Sequence, residues 1–232
     1  MILRQLFNQS LSPSDKVMVI FAQVLAVAII LFVILPLHEL AHGWVAYKFG
    51  DPTAKNAGRL TFNPLVSIDP WGAVLILLLG FGWAKPVPVN PNNFKRPRVG
   101  MAVTAAAGPA SNFLAALVGA FVYVAVFVGS GFSVSGSNFA MELLWTFVAI
   151  NISLAVFNLI PVPPLDGSKI LASFLPGRLQ QQFYRHQGVF VIVLYAMMFT
   201  GVLSGPLSYV QSVCANGIIW LAKLPFVLAG VL

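Results

Sequence analysis

His38-Glu39-Leu40-Ala41-His42 places two imidazoles and a carboxylate within five residues. On a helix, side chains four apart share a face, so His38 and His42 can grip one metal ion. Glu39 then stands beside that ion, where it can take a proton from a metal-bound water. Further donors are scarce, because the chain holds three histidines, one cysteine and six acidic residues. A catalytic zinc usually takes three protein ligands and keeps one position open. The third ligand must therefore be His186 or a carboxylate. The single Cys214 excludes an internal disulfide and a cysteine cage.

The elements that position these groups are set by a composition that is 59% hydrophobic and 8% charged. Several apolar runs reach spanning length, which predicts an all-α polytopic membrane protein. No segment between the runs is long enough to fold as a soluble domain. We therefore expect one integral-membrane domain over 1–232, with a catalytic core at about 17–185 and C-terminal helices at about 188–232. The net charge of +7 does not indicate nucleic-acid binding. Most Lys and Arg residues fall in short connections between apolar runs, as retained cytoplasmic loops require.

The first helix is expected from about Val17 to Phe49, ending at Gly50-Asp51-Pro52. It is too long for a signal-peptide core, no small-x-small cleavage site follows, and so it reads as a retained span. At 1.5 Å per residue it reaches ~50 Å against a hydrocarbon core of ~30 Å. This puts His38 and His42 near one membrane edge. Pro36 should loosen the helix one turn before His38.

Residues 71–82 are apolar but too short to span, and they end in Gly80-Phe81-Gly82-Trp83. The flanking loops carry Lys48, Lys55 and Arg59 on one side and Lys85, Lys95, Arg96 and Arg98 on the other. Both can stay inside only if the segment dips and returns, so a re-entrant, β-like loop is expected. Helices follow at about Val99–Val128 and Phe139–Ile160, joined by an external loop without Lys or Arg. Two more are expected at about Gly188–Ser204 and Leu207–Leu232, making about five transmembrane helices. The small residues from Ala105 to Asn112 suit close helix packing.

This count of crossings brings the inner ends of the first and third helices to one face. Asp15 and Glu142 then lie across the membrane from the motif, Asp51 belongs to a helix-ending turn, and Asp69 to a surface loop. Asp166, within Pro161-Val162-Pro163-Pro164-Leu165-Asp166-Gly167, lies at the correct depth and is the favoured third ligand over His186. Asn158, on the same inner end, can donate a hydrogen bond to an oxyanion. Asn158 and Asn112 can equally bond between helices.

The pentapeptide joined to Asn158-Leu159-Ile160-Pro161-Val162-Pro163-Pro164-Leu165-Asp166-Gly167 closely resembles the site-2 protease family of intramembrane zinc metalloproteases. Gly82-Trp83-Ala84-Lys85-Pro86-Val87-Pro88-Val89-Asn90 is similar to its compact prokaryotic-type branch, without a PDZ or CBS domain. The resemblance covers roughly 17–185 and implies one Zn2+ per chain on His38, His42 and Asp166, with Glu39 as base. It also implies that Asn158 assists the tetrahedral intermediate. The expected substrate is a transmembrane or membrane-associated protein. The expected location is a prokaryotic plasma membrane, with the zinc site near the cytoplasmic side. Residues 85–90 are expected to offer an extended edge to an unwound substrate, limited by Pro86 and Pro88. A membrane zinc transporter or sensor is the alternative from another class. It is disfavoured because transport calls for several exchangeable ligand sets along a path.

Overall fold

The computed structural model describes residues 21, 24–79, 82–130 and 139–231. Residues 17–20 and 22–23 of the expected first helix, the Gly80-Phe81 tip and residues 131–138 of the expected external loop lie outside them. Eight helices are named here: α1 (Val24–Lys48), α2 (Pro70–Leu79), α3 (Pro97–Gly129), α4 (Phe139–Asn158), α5 (Asp166–Phe174), α6 (Gly177–Arg185), α7 (Gln187–Thr200) and α8 (Ser204–Leu228). Among the described residues, α1, α3, α4 and α8 are long and apolar enough to cross a membrane, and α7 is a shorter apolar helix of 14 residues. The chain is an all-α polytopic integral membrane protein.

Pro36 acts on α1 as its chemistry dictates. It has no N–H for the carbonyl four residues back, and its ring crowds that carbonyl. The helix widens into a π-turn over Ile30–Ile34 and resumes α geometry at Leu35, with Pro36 in its first turn. The chain leaves α1 through Gly50, whose φ of 107° a side chain would strain.

The chain turns back after α2, as backbone proximity shows. A Cβ built on Gly72 would lie 1.9 Å from the Trp83 carbonyl oxygen, and one on Gly82 would lie 2.1 Å from the Gly72 carbonyl oxygen. The chain thus returns to the point where α2 begins, and only glycine at both positions permits the approach. An antiparallel bridge between Ile68 and Ala84, with the Lys85 N–H donating to the Ser67 carbonyl at 2.9 Å, extends the closure. Trp71 is 75% exposed beside it, and Phe62 and Leu65 are exposed just before.

The 33-residue α3 is the central post, packed against α1, α4, α5 and α8. Its Ala116, Ala120 and Val124 meet Val148, Ile152 and Val156 of α4 and Ile218 and Ala222 of α8 in one buried cluster. Without a hydrophobic drive between helices in lipid, close contact of small residues supplies the packing energy. Gly119 follows that rule, since a Cβ there would lie 2.9 Å from the Phe147 ring.

Candidate metal centre and active site

Three chemistry-bearing side chains from α1 and α5 meet in the bundle. His38 Nε2 lies 3.2 Å from Asp166 Oδ2, His42 Nε2 lies 3.2 Å from the same oxygen, and the two Nε2 atoms are 3.0 Å apart. All three residues are buried. His38 and His42 are one helical turn apart, with rings nearly perpendicular at 85°. Asp166 arrives from 124 residues beyond His42, as the first residue of α5. Gly167 allows this placement, because a Cβ on it would lie 2.3 Å from the Leu159 carbonyl oxygen and 2.5 Å from that of Ile160. The Asp-Gly pair is therefore more than a turn signal: it lets α5 press onto the end of α4.

The donor set fits a metal ion. His42 Nδ1 lies 2.7 Å from the Thr104 carbonyl oxygen, which can only accept, so Nδ1 carries the hydrogen. Nε2 of His42 is then a lone pair, facing another Nε2 and a carboxylate oxygen at about 3 Å. Such a convergence of acceptors requires a cation or a proton at its centre. The ligating atoms of His38, His42 and Asp166 all lie within 4.8 Å of one another, a span one ion can bridge. Gly108 of α3 closes the far side, where an added Cβ would stand 2.3 Å from His42 Nε2 and 2.6 Å from His38 Nε2.

Lys169, one turn after Asp166, places Nζ 3.0 Å from Asp166 Oδ1 and leaves Oδ2 to the histidines. Burial pushes the Asp166 pKa up, but His38, His42 and the Lys169 ammonium outweigh it, holding the carboxyl well below the usual range. Glu39 is half-buried beside the trio, with Oε2 accepting from the Val87 N–H at 2.9 Å. His38, Glu39, His42, Asn158, Asp166 and Lys169 line one cavity of about 280 Å³.

Asn158 faces this cavity from the last residue of α4, and its Nδ2 donates to the Leu154 carbonyl at 3.0 Å. Asn112 is fully buried in α3, and among the described residues neither of its side-chain polar atoms has a hydrogen-bond partner. His186 is exposed, with Nδ1 on the Gln182 carbonyl between α6 and α7, outside the trio. Asp51 and Asp69 also stand apart from it.

Four contributors escape a reading of residue types. Thr104 acts through its main chain, which leaves no sequence signal. Val87 also acts through its main chain, where the sequence reading expected an edge open to substrate. That expectation is corrected in part: Lys85, Val87 and Asn90 spend their N–H groups on Ser67, Glu39 and Asp51, while Pro86 and Pro88 have none. Gly108 lies in the small-residue run but serves the histidines as well as helix packing. Lys169 falls one turn after Asp166, a spacing that could have pointed to the pair.

The spanning helices and a buried His-His-Asp trio beside a glutamate define the class as a membrane zinc metalloprotease. The model of Peptidase family M50 matches residues 26–140 and 125–202, more than half of the chain. The chain is 40% identical over 173 residues to "Putative zinc metalloprotease YwhC" of Bacillus subtilis, covering 74% of this chain and 79% of that protein. It is 31% identical over 147 residues to "Zinc metalloprotease MJ0392" of Methanocaldococcus jannaschii, covering 63% of this chain and 33% of that protein. It is 27% identical over 154 residues to "Putative zinc metalloprotease Rip2" of Mycolicibacterium smegmatis, covering 62% of this chain and 55% of that protein. No solved structure matches the chain. This protein belongs to peptidase family M50.

Proposed function

We propose that the chain is one membrane domain acting as an intramembrane endopeptidase, with His38, His42 and Asp166 holding one zinc ion and Glu39 as base. The observation that supports this most is the convergence of three buried ligand atoms next to a carboxylate, between helices long enough to span a bilayer. Bound zinc would lower the pKa of a coordinated water towards 7 and polarise the scissile carbonyl. The chain's own residues do the rest. The Val87 N–H fixes Glu39 Oε2, leaving Oε1 to accept the proton of the attacking water and deliver it to the leaving amine. Asn158 has one N–H on the Leu154 carbonyl; the other is available to the oxygen that gains charge. His42 keeps its ligating tautomer through the Thr104 carbonyl.

The substrate is a transmembrane or membrane-associated protein. The basic residues Lys48, Lys55, Arg59, Lys85, Lys95, Arg96 and Arg98 fall between the end of α1 that follows His42 and the first turn of α3, and they support a cytoplasmic placement of the site in a prokaryotic plasma membrane. The test is cleavage of a model transmembrane substrate by purified protein. Wild type and Glu39→Gln should both retain zinc, and only wild type should turn over. Equal turnover by Glu39→Gln would refute the assignment.

A further inference from the structure

Asp51 accepts more hydrogen bonds than the end of a helix requires. Gly50 already ends α1, and the local turn needs only Thr53. Yet the Asp51 carboxylate is 0% exposed and gathers donors from far along the chain. Oδ1 accepts from the Thr53 N–H at 3.1 Å, the Thr53 hydroxyl at 2.5 Å and the Asn93 Nδ2 at 2.6 Å. Oδ2 accepts from the Asn90 N–H at 2.7 Å. A buried carboxylate is tolerated only when its lone pairs are satisfied, and charge-assisted bonds of this kind are the strong ones. Two of the four come from the loop that follows the dip.

That loop leads directly to Glu39. Asn90 is three residues past Val87, and Pro88 between them has a fixed φ, so the connection is short and stiff. Val87 donates its N–H to Glu39 Oε2 at 2.9 Å, and its Cγ1 lies 3.3 Å from where a Cβ on Gly43 would stand. The segment is thereby fastened at two points: to the helix that carries Glu39, and to a residue just beyond that helix. At its other end, the Lys85 carbonyl accepts from Arg59 Nη2 at 2.5 Å.

We infer that Asp51 is a positioning residue for Glu39: through Asn90 and the stiff 87–90 segment it holds the Val87 N–H against the carboxylate. It touches no substrate, and the inference rests on the reading of Glu39 as the base. A glutamate has three rotatable bonds, and a misplacement of ~1 Å at a reacting group costs ~100-fold in rate.

The test uses the full chain reconstituted in lipid. In Asp51→Asn the amide NH2 replaces an acceptor and either opposes the Asn90 N–H or sits among the Oδ1 donors. The expected result is a kcat lowered about tenfold or more, with KM and zinc affinity each within about twofold of wild type. Hydrogen exchange over residues 84–93 should quicken, while residues 38–48 stay protected. Val87→Pro removes the donor itself, so adding Asp51→Asn to it should cost no more than about a further twofold. Multiplying losses in the double variant, a wild-type kcat in Asp51→Asn, or loss of zinc from it would each overturn the inference. If Asp51→Asn does not fold, Asn90→Pro removes the same N–H and must show the same kcat loss; a wild-type kcat there overturns the inference too. Activity in Glu39→Gln would overturn the base assignment, whereas an inactive Glu39→Gln beside a fully active Asp51→Asn overturns the latch alone.

Discussion

Gly108→Ala places one methyl group where α3 meets both histidines. The new Cβ would stand 2.3 Å from His42 Nε2, 2.5 Å from His38 Cε1 and 2.6 Å from His38 Nε2. Ordinary contact between such atoms begins at ~3.5 Å, so one or both rings must retreat by ~1 Å. Zinc ligation tolerates errors of only ~0.2 Å in ligand distance. The alternative is for α3 to withdraw from α1, which would disturb the Ala116–Ala120 seam that α3 shares with α4 and α8. Overpacking of that kind costs ~1–3 kcal/mol. We expect zinc affinity to fall by about a hundredfold, ~2.8 kcal/mol, with cleavage falling in parallel. The assay is competition against a chelator series with metal content measured on purified protein, beside a thermal melt in the same detergent. Gly217→Ala on α8 is the control, because no atom of the described residues lies within 4 Å of its Cβ and helix propensity predicts a gain of ~0.5–1 kcal/mol. A Gly108→Ala protein with zinc affinity within about threefold of wild type and an unchanged melting midpoint would refute the packing argument.

Two further outcomes follow from the loop region. Gly72→Ala puts a Cβ 1.9 Å from the Trp83 carbonyl oxygen, a backbone atom that cannot step aside alone. Stability should drop by ~1–3 kcal/mol, read as a lower thermal midpoint, and an unchanged midpoint would contradict the tight hairpin. For pH, burial pushes the Asp51 pKa up, but hydrogen bonds from Thr53, Asn93 and the Asn90 N–H more than offset it, and its folded pKa lies below the ordinary 3.8. A depressed carboxyl contributes stability that is full above the unfolded value and lost as pH falls through the folded one. Wild type should therefore lose more stability than Asp51→Asn as pH is lowered through 3.8. Parallel melting curves across that window would show that Asp51 contributes nothing there.

Much of the architecture was legible in the chain because lipid imposes simple rules. Spanning helices must be long and apolar, and the short run at 71–82 could not span, so the dip followed from length and loop charge. Pro36 announced a helix irregularity but not its form, since whether a proline produces a kink or a π-turn depends on neighbouring packing. Asp166 could be chosen by counting crossings, but its meeting with His38 and His42 depends on Gly167 letting α5 close on the end of α4. Asp51 was read only as part of a turn, because its partners Asn90 and Asn93 lie 39 and 42 residues away and carry no shared pattern.

By itself the sequence determined the membrane class, the all-α build and the residue types able to hold a metal ion and move a proton. These depend on local chemistry, on the apolar length of each run and on the four-residue spacing of His38 and His42. Only the tertiary structure decided how Glu39 is held, which tautomer His42 adopts and why α3 carries glycine at 108. Those contacts run through main-chain N–H and carbonyl groups or through the absence of a side chain. Every residue but proline offers the same backbone donor and acceptor, so only the register of one segment against another selects the group used.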